Sequence, residues 1–118
     1  MPWIKIASIL MFLGVALGAF GSHALRGKLT GYYLEVYKTG VLYHFIHALG
    51  LFVIAWASTQ SQDSKINLAG IFMLAGIALF SGSLYLLSVT GQKWLGAVTP
   101  LGGVSFLIAW LLLFTSKV

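Results

Sequence analysis

The chain has 118 residues, 59% of them hydrophobic and 8% charged, with seven Lys/Arg against two Asp/Glu, a formal net charge of +5 and no cysteine. A soluble domain carries roughly 25% charged residues, so a water-facing surface all round is excluded, and the absent thiols exclude disulfides, iron–sulfur ligation and thiolate catalysis. The bases are too dispersed to build the basic face that nucleic acid needs, and no nucleic-acid partner is expected.

The nine charges, at Lys5, Arg26, Lys28, Glu35, Lys38, Asp63, Lys65, Lys93 and Lys117, leave four uncharged runs, 6–25, 39–62, 66–92 and 94–116. Each reaches the roughly 20 residues that a helix needs to cross a hydrocarbon core about 30 Å thick. The expected fold is all-α: four transmembrane helices in a compact antiparallel bundle, one transmembrane domain over 1–118 with spans at about 4–25, 39–58, 66–90 and 96–115. A soluble bundle would need polar outer faces, which 66–90, broken only by Ser, Thr, Asn67 and Tyr85, does not offer.

In the first span, Lys5, the apolar run and Ser22-His23-Ala24 imitate a secretory signal with its cleavage site. The run exceeds the usual signal core of roughly 7–15 residues, and a retained span is expected. Ala7, Gly14, Gly18 and Gly21 form a stripe nearly free of side-chain bulk, where another helix can approach. Residues 26–38 repeat Leu29, Tyr32, Tyr33 and Val36 at helical spacing opposite Arg26, Lys28, Thr30 and Glu35, which predicts a short amphipathic helix on the membrane surface.

The second span brings Tyr43, His44 and His47 in its first half. The two histidines stand about 60° apart around the helix, so at most one points fully inward with Tyr43. The polar 58–65 stretch is a hairpin loop. In the third span Ala75, Ala78 and Gly82 form a second small-residue stripe continuing to Tyr85. Gly76-Ile77-Ala78-Leu79 also repeats Gly14-Val15-Ala16-Leu17 at an offset of 62, as a parallel duplication would. After the short 91–96 connection, the fourth span opens with Thr99, Pro100, Gly102 and Gly103. Trp3, Trp56, Trp94, Tyr32, Tyr33 and Tyr37 fall at span ends, where amphipathic rings favour the headgroup layer.

Helix direction decides which polar groups can meet. His23 ends span 1 on the side of the 26–38 connection; span 2 leaves that side with Tyr43 and His47, span 3 returns to it with Ser81, Ser83 and Tyr85, and span 4 leaves with Thr99. The expectation is one buried polar cluster or small wet pocket in that half of the bilayer. A structural hydrogen-bond network and a ligand site both satisfy this arrangement.

The only acids, Glu35 and Asp63, lie in connections, so no intramembrane carboxylate pair serves proton-coupled transport or aspartyl proteolysis. No Ser/His/Asp arrangement is indicated, and the glycine-rich stretches sit inside helices instead of cradling phosphate. An enzyme is not expected. Catalytic zinc commonly takes three protein ligands, so no metal and no cofactor is expected, although His23 with His47 leaves haem or transition-metal binding as a weaker alternative.

Four ordered motifs, Gly18-Ala19-Phe20-Gly21-Ser22-His23-Ala24-Leu25, Tyr43-His44-Phe45-Ile46-His47-Ala48-Leu49, Phe80-Ser81-Gly82-Ser83-Leu84-Tyr85 and Leu95-Gly96-Ala97-Val98-Thr99-Pro100-Leu101-Gly102-Gly103, run through essentially the whole chain. They closely resemble the small membrane-protein family catalogued as domain of unknown function 423. The resemblance implies a four-span protein of the bacterial cytoplasmic membrane with no agreed activity. His23 and His47 match the family's characteristic histidines, His44 stands where glutamine is common, and Lys38 stands where an acid is expected.

The functional expectation is a non-enzymatic membrane protein that acts through packing, lipid contact or a partner, either a second copy or another membrane protein. The alternative is a small-molecule or lipid carrier or channel using the polar cluster. Arg26, Lys28, Lys38 and Lys93 against Lys5, Lys65 and Lys117 lean the termini outward, and the terminal amine makes it a tie.

Overall fold

Without water, each backbone N–H and C=O must find its partner inside the chain, so long uncharged runs become helices. The computed structural model describes residues 1–118, the side chain of Ser22 excepted. Four helices are long and apolar enough to span a bilayer: span 1, Trp3–Gly21; span 2, Gly31–Gln60; span 3, Ser64–Thr90; and span 4, Lys93–Thr115. Their outer surfaces carry Phe12, Phe20, Leu107 and Phe114, each more than 60% exposed. Apolar surface spread on this scale is stable against hydrocarbon and not against water.

Spans 2 and 3 pack against each other at the centre, span 1 lies mainly on span 2, and span 4 mainly on span 3. Ala7, Leu51, Ile54, Ile66, Met73 and Ala109 fill the end of the bundle away from the 26–38 side. A smaller cluster of Leu84, Leu87 and Leu95, with Val36 packed on it, closes the other end.

The connection between spans 1 and 2 departs from expectation. In place of a separate surface helix over 26–38, residues from Gly31 onward form the first turns of span 2, preceded by a tight turn with Gly27 at φ +80°. The apolar side of this segment meets protein instead of lipid: Val36 packs on Leu84, Leu87 and Leu95, and Tyr37 is buried. Contact with the third and fourth spans thus carries the helix beyond the hydrocarbon boundary. Trp3 also differs. It does not sit in the headgroup belt but is buried against Gly70, its indole N–H donating to Asn67 Oδ1 at 3.1 Å.

The repeat at offset 62 extends well beyond four residues. Ile4, Ala7, Met11, Gly14, Ala16 and Leu17 recur as Ile66, Ala69, Met73, Gly76, Ala78 and Leu79. Both stretches then open into π-helix, Ala16–Gly21 in span 1 and Ile77–Ser81 in span 3. The partners across each hairpin repeat too: the Phe45 ring covers Gly14 as the Phe106 ring covers Gly76. Likewise the Leu10 carbonyl is bound by His44 as the Phe72 carbonyl is bound by Ser105. Spans 1–2 and 3–4 are two versions of one helix, π-turn, helix hairpin.

Candidate functional site

Span 2 supplies the polar centre. A backbone carbonyl only accepts, so in the neutral imidazole of His44 it is Nε2–H that donates to the Leu10 carbonyl at 2.7 Å. Nδ1 then accepts the Tyr85 hydroxyl at 2.8 Å. One buried side chain thereby ties spans 1, 2 and 3.

His47 holds the opposite tautomer. Its Nδ1–H donates to the Tyr43 carbonyl at 2.8 Å, and Nε2 accepts the Trp110 indole N–H at 3.0 Å. Its ring stacks on Phe106, with centroids 3.5 Å apart and planes 9° from parallel. Both histidines are buried, which corrects the expectation that only one faces inward. They serve different neighbours: His44 points toward spans 1 and 3, His47 toward span 4.

The hydroxyls form further links. Ser81 donates to the Gly40 carbonyl at 2.7 Å, joining spans 3 and 2. Ser83 donates to the Phe80 carbonyl and lies 2.6 Å from the Thr99 hydroxyl, joining spans 3 and 4. The Tyr37 hydroxyl donates to the Leu17 carbonyl. Leu17 and Phe80 lie in the two π-turns, so a hydroxyl bonds a backbone carbonyl within each of them.

Of the residues singled out from sequence, His47, Ser81, Ser83, Tyr85 and Thr99 are engaged inside the bundle. They form separate links and not one shared pocket. Tyr43 contributes its carbonyl and a ring stacked 4.5 Å from Phe80 while staying partly on the lipid side. His23 is exposed on the helical turn Ser22–Ala24. It is not brought to His47, whose two nitrogens are already engaged, so the pairing considered for haem or metal is absent. Among the described residues, no three His, Cys, Asp or Glu side chains converge as metal ligands.

The glycines divide as well. Gly14 and Gly18 receive the Phe45 and Val41 side chains of span 2, and Gly21 receives the Tyr37 hydroxyl. The first-span stripe is thus filled within the bundle. A Cβ at Gly82 would meet nothing within 4 Å, so Gly82 is not a packing glycine.

Sequence reasoning passed over Tyr37, Trp110, Ser105 and the inward role of His44. Tyr37 reads as an interfacial aromatic, and Trp110 carries no assignment from sequence. The signal at Tyr37 was register: it lies on the face of span 2 shared with the buried Gly40 and His44.

Among the described residues, no buried side-chain nitrogen or oxygen lacks a hydrogen-bond partner. Outside the spans, Asp63 Oδ1 accepts the Lys65 N–H at 3.0 Å and Oδ2 the Lys117 N–H at 2.9 Å. These two bonds, helped by the nearby lysine charges, hold its carboxyl below the usual range.

The profile of a family described as a protein of unknown function, DUF423, matches residues 17–103. The chain is 52% identical over 117 residues to the UPF0382 membrane protein YwdK of Bacillus subtilis, covering 98% of this chain and 95% of the relative. It is 40% identical to a UPF0382 membrane protein of Staphylococcus haemolyticus, covering 97% of this chain and 93% of that one. A Staphylococcus epidermidis relative is 41% identical, with coverage of 94% and 90%. No solved structure matches. With four membrane-spanning helices, and with relatives named as membrane proteins along nearly their whole length, the chain belongs to the DUF423 family of bacterial integral membrane proteins, to which no activity is assigned.

Proposed function

We propose that the chain works without catalysis, as a membrane bundle whose polar side chains lock its helices and whose outer surface contacts lipids or a protein partner. The observation supporting this is the state of His47. With Nδ1 on the Tyr43 carbonyl and Nε2 on the Trp110 indole, the ring has no lone pair left for a substrate and none for a metal. Interhelical hydrogen bonds in membranes average about 0.6 kcal/mol and reach about 1.7 kcal/mol. A set of such links adds rigidity and register to a fold that lipid-like packing alone specifies poorly.

His47→Leu tests the reading. The expected result is a lower melting temperature in detergent with no change in co-purifying small molecules. Unchanged stability together with loss of a bound molecule would overturn it.

The carrier reading draws on one observation, the pair of π-turns at equivalent places in the two hairpins, since π-turns often mark functional sites. Proteoliposomes passing no protons, ions or common metabolites remove it.

A further inference from the structure

Two cavities lie one above the other along the seam between spans 2 and 4. At the membrane surface, Tyr32, Tyr33, Leu87, Lys93 and Gly96 enclose about 480 Å³. Deeper, a groove of about 670 Å³ runs between Leu42 and Ile46 on span 2 and Pro100, Gly103 and Leu107 on span 4, with Tyr43 on its wall. Each volume falls in the roughly 300–1,000 Å³ range of ligand pockets.

The register aligns them. Tyr32 and Tyr43 are three helical turns apart, so they share a face of span 2 at a separation of roughly 16 Å. On the other wall Pro100, Gly103 and Leu107 succeed one another at spacings of three and four residues, one face of the α-helix Thr99–Thr115, and Gly96 lies on the 3-10 turn Lys93–Ala97 that leads into it. Half of a hydrocarbon core is about 15 Å. The seam therefore leads from the headgroup layer to the bilayer midplane, the reach of one acyl chain.

The chemistry changes along it. The upper cavity holds one ammonium, on Lys93, two phenols and no carboxylate. The groove is aliphatic and aromatic, and its deepest polar groups, His47 and Trp110, are bonded to each other. From this we infer that the seam binds one phospholipid with an anionic headgroup, its phosphate at Lys93 and the tyrosines and one chain along Gly103. A free phosphate would meet a single lysine and leave the groove empty. The inference goes beyond the lock described above, and its failure would leave that lock standing.

Native mass spectrometry of the full chain in detergent, offered equal amounts of phosphatidylglycerol and phosphatidylcholine, is the test. Wild type is expected to retain one phosphatidylglycerol in preference. Lys93→Gln should cut that preference roughly fivefold, the worth of one interfacial lysine. Gly103→Leu, where a Cβ would meet only the Phe80 ring at 3.9 Å, should reduce retention of both lipids at an unchanged melting temperature. Leu107→Trp replaces it if the first variant does not fold. Equal retention of both lipids by wild type, or wild-type retention by the Lys93 and groove variants, overturns the site. Inorganic phosphate raising the melting temperature as much as phosphatidylglycerol does would overturn the lipid assignment.

Discussion

The Tyr85 hydroxyl meets His44 Nδ1 at 2.8 Å while the opposite ring nitrogen holds the Leu10 carbonyl at 2.7 Å, so a single imidazole bridges a side chain of span 3 and the backbone of span 1. The bridge requires one donor and one acceptor on the same residue. A glutamine amide supplies both, its NH2 to Leu10 and its oxygen to the Tyr85 hydroxyl.

His44→Gln is therefore expected to keep the melting temperature in detergent close to wild type, whereas His44→Leu loses both bonds. The loss should be about 1–2 kcal/mol, given roughly 0.6–1.7 kcal/mol per membrane hydrogen bond. Adding Tyr85→Phe to each variant completes a double-mutant cycle. Tyr85→Phe should cost as much on His44→Gln as on wild type and little further on His44→Leu, so the leucine cycle is non-additive and the glutamine cycle additive.

Trp110→Phe keeps most of the aromatic volume but strips His47 Nε2 of its donor. Thermal unfolding should move down by about 1 kcal/mol, and the same change made on His47→Leu should cost little further. Full additivity of the two would mean that the 3.0 Å contact carries no stability.

Close helix approach is decided at particular glycines. A Cβ on Gly102 would strike the backbone of Phe80, which has no rotamer to yield, whereas one on Gly82 would stand in open space. Gly102→Ala should destabilise by about 1–3 kcal/mol, as overpacking does. Gly82→Ala should be neutral or stabilising by up to roughly 1 kcal/mol through helix propensity. Melting curves of the two variants side by side decide this.

Asp63 joins the second and third spans' connection to the backbone at Lys117. Its folded carboxyl titrates below the value near 3.9 of an unfolded aspartate. The stability it adds is complete above that unfolded value and drains away as pH falls through the lower folded one. Melting temperatures measured from neutral pH down past pH ~4 should therefore decline more steeply for wild type than for Asp63→Asn. Parallel profiles would show that the clamp is not formed in solution.

Much of the architecture follows from where the nine charges fall. They leave four runs long enough to cross a membrane, and in hydrocarbon a backbone has no stable state there but helix. The Gly-Val-Ala-Leu and Gly-Ile-Ala-Leu pair likewise marked the two hairpins, because residues that set a helix's closest approach tolerate little change. The amphipathic pattern of 26–38 is real, but its residues from Gly31 onward belong to span 2 and not to a separate surface helix. Periodicity says that one face is apolar, but not whether lipid or the Leu84, Leu87 and Leu95 side chains cover it.

The polar side chains show the same division. Chain direction placed Ser81, Ser83, Tyr85, His47 and Thr99 toward one half of the bilayer, since it needs only the order of spans. Which groups pair was settled by rotation and tilt of packed helices, to which a hydrogen bond of 2.7–3.0 Å is sensitive and a hydropathy pattern is blind. That rotation turned His44 inward beside His47, drew Tyr37 from the aromatic belt onto the Leu17 carbonyl, set Trp110 on His47, and left His23 outside. Composition alone determined that this chain lives in a membrane. Tertiary packing decided that its polar atoms face one another.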